Sequence, residues 1–331
     1  MSSARNLVAD QLQIKLTHVV SIVSTIINLF GFFVILKHKS RDRWTMKMMR
    51  LLCHFTLYIH MIYFGSVLSI VVLFPLPGVY CIGWLRHLTG ASAFAALNVF
   101  YFLFVAITEA MIMTFVLKLK DVARPDSKFK PSTCFQISVF LFIFFSVCVP
   151  QFIVCLSGYA TRSDIEQFVS TTHPSMKFIF RYPFIWMIVS KYHWMFFAMI
   201  FGLTLIVYCA LFITFSLLVL YEIERQAMSG SMSVANKRMH RQVVDDVVLH
   251  VKVMIPFLLS IPVSVYLQFF AEEGDDVSLP VALALCVFVS TPIPTMIAFL
   301  CSNADHRNEV SLLFHRNTAS SQPTRPITRT L

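Results

Sequence analysis

Glu109 is a carboxylate inside an apolar stretch long enough to cross a bilayer. Holding it at membrane depth costs at least ~2.5 kcal/mol, so it should face protein, where it can titrate or accept a hydrogen bond. Ala91, Phe94, Asn98, Phe102, Val105 and Glu109 follow one another at steps of three or four residues, one stripe at the helical period. The stripe is acidic at its inner end, apolar in the middle, and carries Asn98 in its outer half. Phe94, Asn98 and Tyr101 are the expected small-molecule-facing residues, with Tyr266 opposite them. Two roles are open for Glu109. It is a charge-dependent switch that pairs with Lys252 or a helix end in one state, or a protonated acid in a static interhelical hydrogen bond.

Of the eight cysteines, Cys81 and Cys155 fall at outer helix ends, with Cys148 two turns deeper. The outer compartment permits a bond between Cys81 and Cys155, and independent thiols are the alternative. No Cys lies in the segment 158–193, where aromatic side chains gather as a lid or as an interfacial belt. His54 and His60 are six residues apart and so point to different helix faces. His173 and His193 lack neighbouring ligands at metal spacing. No GxGxxG, GxxxxGK[ST], HExxH or GxSxG occurs, and the last apolar stretch has no Lys for a Schiff base. The expectation is a protein without enzyme activity, cofactor or metal.

The elements that position these residues follow from composition. The 331 residues are 57% hydrophobic and 13% charged, at a mean hydropathy of +0.73. That charge is too little to coat a soluble particle. Seven stretches satisfy the length of a bilayer-crossing helix: 16–36, 51–73, 89–117, 135–156, 194–221, 253–270 and 279–301. The fold class is therefore all-α, a seven-transmembrane helix bundle. The first stretch is too long for a cleavable signal peptide. Twenty Lys and Arg fall in alternate connections on one side of this arrangement and seven on the other. The basic side is cytoplasmic, which puts the N-terminus outside. The net charge of +10 thus reflects orientation and contact with anionic lipid, not nucleic acid. Residues 1–15 form a short extracellular N-terminus and 16–301 the seven-helix domain. Residues 302–316 form an amphipathic cytoplasmic helix through Val310, Leu313 and Phe314, and 317–331 a disordered tail. An odd number of spans and sixteen of seventeen acids outside them favour a receptor over a transporter or channel, the alternative function.

The segment 72–84, VLFPLPGVYCIGW, resembles the outer end of the second span in nematode serpentine chemoreceptors of the Str superfamily, classes H and I. The sixth span, with Ile255-Pro256, Ile261-Pro262 and Tyr266, is similar to their IP…P pattern, and Arg307 with Phe314 to their terminal region. The third span departs from them at 115–120, FVLKLK, where members carry an acidic-Asn-Arg-like triplet. The resemblance implies a G-protein-coupled chemosensory receptor for a small external chemical, signalling through a heterotrimeric G protein from the plasma membrane of a sensory neuron, in its cilium. A pocket this apolar suits a small, weakly polar volatile or a lipid-like molecule.

Five prolines fall inside expected helices: Pro150, Pro256, Pro262, Pro292 and Pro294. Pro150 is expected to be a static kink, while Pro256 and Pro262 are equally hinge or kink. Beyond the fifth span the helix continues through Glu222, Glu224 and Arg225, breaks at Ser229-Gly230-Ser231, and restarts at Lys237, Arg238 and Arg241. These last three offer a G protein a basic surface.

Overall fold

The computed structural model describes residues 2–37, 44–73, 76, 78–230 and 278–302, with single positions in 233–263 and 307–312. Its helices are α1 (Ser2–Lys37), α2 (Trp44–Ile62), α3 (Gly90–Val122), α4 (Thr133–Ser157), α5 (Arg162–Thr172), α6 (Lys191–Met228), α7 (Ser278–Val289) and α8 (Pro292–Ser302). Five helical segments are long and apolar enough to cross a membrane: Gln11–Lys37, Lys47–Leu68, Gly90–Val122, Lys191–Met228 and Leu279–Ser302. The 25-residue α4, with Pro150 inside it, supplies the expected fourth span. Most of the expected sixth span lies outside the described residues, as do Pro256, Pro262, Tyr266, Lys237, Arg238 and Arg241.

The bundle centres on α3, which packs against α2, α4 and α6, while α1 packs against α2, α7 and α8. A Thr89/Ser92 capping box starts α3. It stops at Val122, two residues before Arg124-Pro125, a pair whose first residue is steered out of the helical region. Two apolar cores stack along it. Leu57, Leu97, Phe184, Phe197 and Phe288 belong to one, and Ile112, Val116, Ile143, Tyr208 and Val219 to the other.

The helical part of the second span ends earlier than expected. A π-helix (Tyr63–Leu68) runs into Ser69, held at φ 45°, and the apolar run Ile70–Leu73 is strand β1, not helix. It pairs antiparallel with β2 (Gly78–Cys81), which pairs antiparallel with β3 (Ile185–Met187). Gly83 makes this exit feasible, because a Cβ there would sit 2.6 Å from the carbonyl oxygens of Val67 and Leu68. The expected aromatic lid, 158–193, is thus a folded cap of α5, a 3-10 helix (Pro174–Arg181) and β3. Ile165, Val169, Ile179 and Met187 bury against Leu73 and Tyr80, and Tyr182 stacks on Tyr80 at 4.3 Å. Thr161 and Asp164 cap α5 reciprocally, and the hydrogen bonds from Thr161 hold the Asp164 carboxyl below the usual carboxylate range.

The last span is also broken. Helix α7 closes at Val289, Ser290 and Thr291 turn, and Pro292 starts α8 at a position where its missing N–H costs nothing. Pro292 and Pro294 therefore occupy a first turn, not the helix interior expected from sequence. Gly31 of α1 packs on Met296, where a Cβ would meet the sulfur at 2.2 Å.

Candidate functional site

The α3 stripe divides into two environments. Phe94, Asn98, Tyr101, Phe102 and Val105 line a cleft of about 560 Å³ whose other described wall is Phe144, Val149 and Phe152 of α4. Phe102 is 55% exposed, so at this position the stripe faces α4 and the flank of the bundle, where the sequence reading points it toward the centre. The short side chains of Ala95 and Val99 leave the space open on the α3 side. Phe94 packs edge-on to Tyr159 at 5.6 Å and against Phe152 at 6.4 Å, closing the cleft at the end nearest the cap. Tyr101 turns toward Phe197 of α6, 6.0 Å away.

Asn98 and Tyr101 are the polar residues of this lining. Asn98 Nδ2 donates to Phe94 O at 2.8 Å, which fixes the amide orientation and leaves Oδ1 as an acceptor. One helical turn beyond Val105, Glu109 is buried, and its Oε1 accepts no hydrogen bond among the described residues. Lys252 is exposed and makes no ion pair with Glu109 among the described residues, so the expected pair is absent from this state. A protonated Glu109 would donate the static hydrogen bond, and Oε1 has no partner of either kind among the described residues.

A second buried acid was missed from sequence by one residue of span boundary. Helix α6 runs unbroken to Met228 and carries Glu222, 0% exposed, into contact with the connection after α3. Ser127 Oγ donates to Glu222 Oε1 at 2.5 Å, and Arg225 Nη1 lies 3.6 Å from the same oxygen. Gln226 Nε2 donates to Val122 O, and Arg124 Nη2 to Ser229 Oγ. This network joins the end of α3 to the end of α6, below the core of Ile112, Val116 and Val219.

A polar stripe on α1 also went unread. Gln13, Thr17, Ser21, Ser24 and Asn28 are all buried, at steps of three and four residues. Gln13 Nε2 donates to Ile70 O at 3.0 Å, and the hydroxyls of Ser21 and Ser66 share a 2.6 Å hydrogen bond. These bonds tie α1 to the π-helix and β1. His60, expected to point elsewhere than His54, is caged by Phe100, Phe104 and Phe288, while His54 lies 4.9 Å from Phe299.

The expected Cys81–Cys155 disulfide is not formed. Cys81 is a free, buried thiol whose Sγ–H donates to Leu68 O. Burial pushes that thiol up to about 11, so it stays protonated and unreactive. Pairing of β2 with β3 ties the second connection to the fourth without a covalent link. The side chains of Cys148 and Cys155 lie outside the described residues. Among the described residues, no group of three His, Cys, Asp or Glu converges as a metal site would require.

At the far end of α8, positions 307 and 310–312 are helical, and Val310 packs against the cluster of Val34, Met296 and Phe299. Leu313 and Phe314 lie outside the described residues.

No curated protein matches the chain. The family model of the serpentine type 7TM GPCR chemoreceptor Sri matches residues 11–310, nearly the whole of this helical bundle, and the chain belongs to that family.

Proposed function

We propose that this G-protein-coupled chemosensory receptor reads its ligand in the α3–α4 cleft through Phe94, Asn98 and Tyr101, and that Tyr266 of the sixth span adds to ligand recognition. The observation that carries this is one of continuity. A cleft of about 560 Å³, within the ordinary size of a small-molecule site, is floored by Val105 one turn from the buried Glu109. Below that, the same helix reaches the Ser127–Glu222 network at the end of α6. Ligand pressure on α3 therefore has a packed route to the cytoplasmic surface, where Lys237, Arg238 and Arg241 meet the heterotrimeric G protein. Pro256 and Pro262 are the hinges that let that surface move. Membrane insertion with the N-terminus outside rests on the twenty-to-seven basic split. Residence in a sensory cilium, and assignment to class H or class I of the Str superfamily, rest on the motifs at 72–84 and 255–266. No finding favours transport.

The test is an odorant panel applied to cells expressing the receptor. Once an agonist is found, Tyr101→Ala and Asn98→Leu should lose the response at unchanged surface level and basal signalling. Retained sensitivity in both variants would place the ligand elsewhere in the bundle.

A further inference from the structure

We propose that the α3–α4 cleft is reached from within the bilayer, and that its ligand is a neutral, membrane-partitioned amphiphile presenting one hydrogen-bond donor, as a long-chain alcohol does. This rests on the assignment of the cleft as the ligand site and adds its route of access and ligand class.

The route follows from which side of the cleft is open. Among the described residues its walls come from α3 and α4 alone. Val99, Phe102, Val149 and Phe152 on those walls are each more than two-fifths exposed. On a membrane-spanning helix such faces meet acyl chains, so the opening is lateral. Toward water, aromatic rings cover the end of the cleft nearest the cap. Phe94, Tyr159 and Phe152 pack together over the upper end, and the Tyr159 hydroxyl reaches within 3.5 Å of where a Gly90 Cβ would lie. Depth agrees with this. Helix α3 is about 50 Å long against a hydrocarbon core of about 30 Å, so centring it leaves roughly 10 Å beyond each side, and Asn98 to Val105, roughly 12–22 Å from its start, fall at hydrocarbon depth.

The ligand class follows from the lining. Asn98 Oδ1 is an acceptor without a hydrogen bond among the described residues, while its Nδ2 is occupied by Phe94 O. No charged side chain lines the cleft. A carboxylate, phosphate or ammonium ligand would lose its hydration with no counter-charge to meet it. A plain acyl chain would fill the space but leave Asn98 Oδ1 unmet. A hydroxyl at the end of an apolar body satisfies both demands.

The experiment uses the full-length receptor in zwitterionic-lipid nanodiscs and a diazirine-bearing hexadecanol, with its methyl ether and the matching fatty acid as controls. Cross-linked peptides are located by mass spectrometry. The alcohol should label the stretches 90–118 and 133–157 saturably, and unlabelled alcohol should compete. Val99→Trp, which fills the cleft, should abolish saturable labelling. Asn98→Leu should weaken it about five- to tenfold, the value of one neutral hydrogen bond, while Asn98→Gln restores part of it. Melting temperature and monodispersity of each variant report folding independently. Uniform labelling of all helices, equal labelling by the ether, or indifference to Asn98→Leu in a folded variant would overturn the proposal. G-protein turnover in the same discs separates the two levels. Saturable labelling without any effect of Val99→Trp on agonist response would keep the lipid-side cleft and reject it as the signalling site. Loss of agonist response in Val99→Trp without saturable alcohol labelling would do the reverse.

Discussion

Removing the Ser127 hydroxyl should raise the receptor's resting activity. Its hydrogen bond to Glu222 is 2.5 Å long and ends on a fully buried carboxylate. A bond to a charged group contributes about 1.5–3 kcal/mol. The neighbouring Arg225 is 41% exposed and 3.6 Å away, so solvent screens most of its share. If the bond belongs to the resting arrangement alone, its loss shifts the resting-to-active ratio by about 10- to 150-fold. A receptor resting at about 1% active would then reach roughly 10% or more. The assay is agonist-free nucleotide exchange on the G protein at matched surface level, for Ser127→Ala, Glu222→Gln and the double variant. Ser127→Ala also strands a buried charge, so a melting temperature for each variant separates activation from misfolding. Either single change should give nearly the whole effect of the double. Additive changes, or unchanged basal exchange in folded variants, would refute a resting-state role for the Ser127–Glu222 bond.

Glu109→Gln distinguishes the two roles of that residue: a charge-dependent switch gives raised basal exchange or a lost response at normal surface level, and a static hydrogen bond leaves both unchanged. Cys81 should alkylate with iodoacetamide at pH 8 roughly 100-fold more slowly than an unperturbed thiol, because a pKa of about 11 leaves about a thousandth of it as thiolate against about a tenth at 9.0; since its folded-state pKa lies above the unfolded value of 9.0, its contribution to stability should fade as pH rises from 9 toward 11. A need for reductant before unfolded protein labels at Cys81 would instead show a disulfide. An epitope placed before Leu7 should stain on intact cells and one after Arg325 only after permeabilisation, and the reverse would invert the assigned orientation.

Apolar run length made the spans legible, because a helix crossing hydrocarbon leaves a long uninterrupted signature. The same signal hid β1. Ile70–Leu73 continues the hydrophobic run of the second span, and the break lies at Ser69 in a left-handed conformation that serine does not advertise. Gly83, which allows the chain to return against Leu68, carried the readable half of that turn. The Thr161-x-x-Asp164 spacing is a helix-start signature and marks α5 within what sequence treated as a loop. Ser290-Thr291-Pro292 likewise carries the signal of a helix restarting at proline.

The candidate residues were legible in proportion to how unusual they are at membrane depth. Glu109 and Asn98 stood out as polar groups on an apolar helix. Glu222 did not, because a boundary drawn at Tyr221 moved it into the cytoplasmic loop, although α6 buries it completely. The α1 stripe from Gln13 to Asn28 escaped notice because it is uncharged, yet its spacing shows it facing inward. Helical period alone also misplaced Phe102. Phe102 and Glu109 lie seven residues and so only about 20° apart around the axis, and the exposed and buried parts of the stripe differ in which neighbours cover α3 at each depth.

The most direct test of the account is nucleotide exchange on a heterotrimeric G protein by the purified receptor in nanodiscs, recorded beside conductance and uptake in matched proteoliposomes. Exposure to an agonist from the odorant panel should accelerate exchange, the acceleration should vanish in Val99→Trp, and neither current nor uptake should appear. Agonist-evoked current or uptake with exchange unchanged would contradict it.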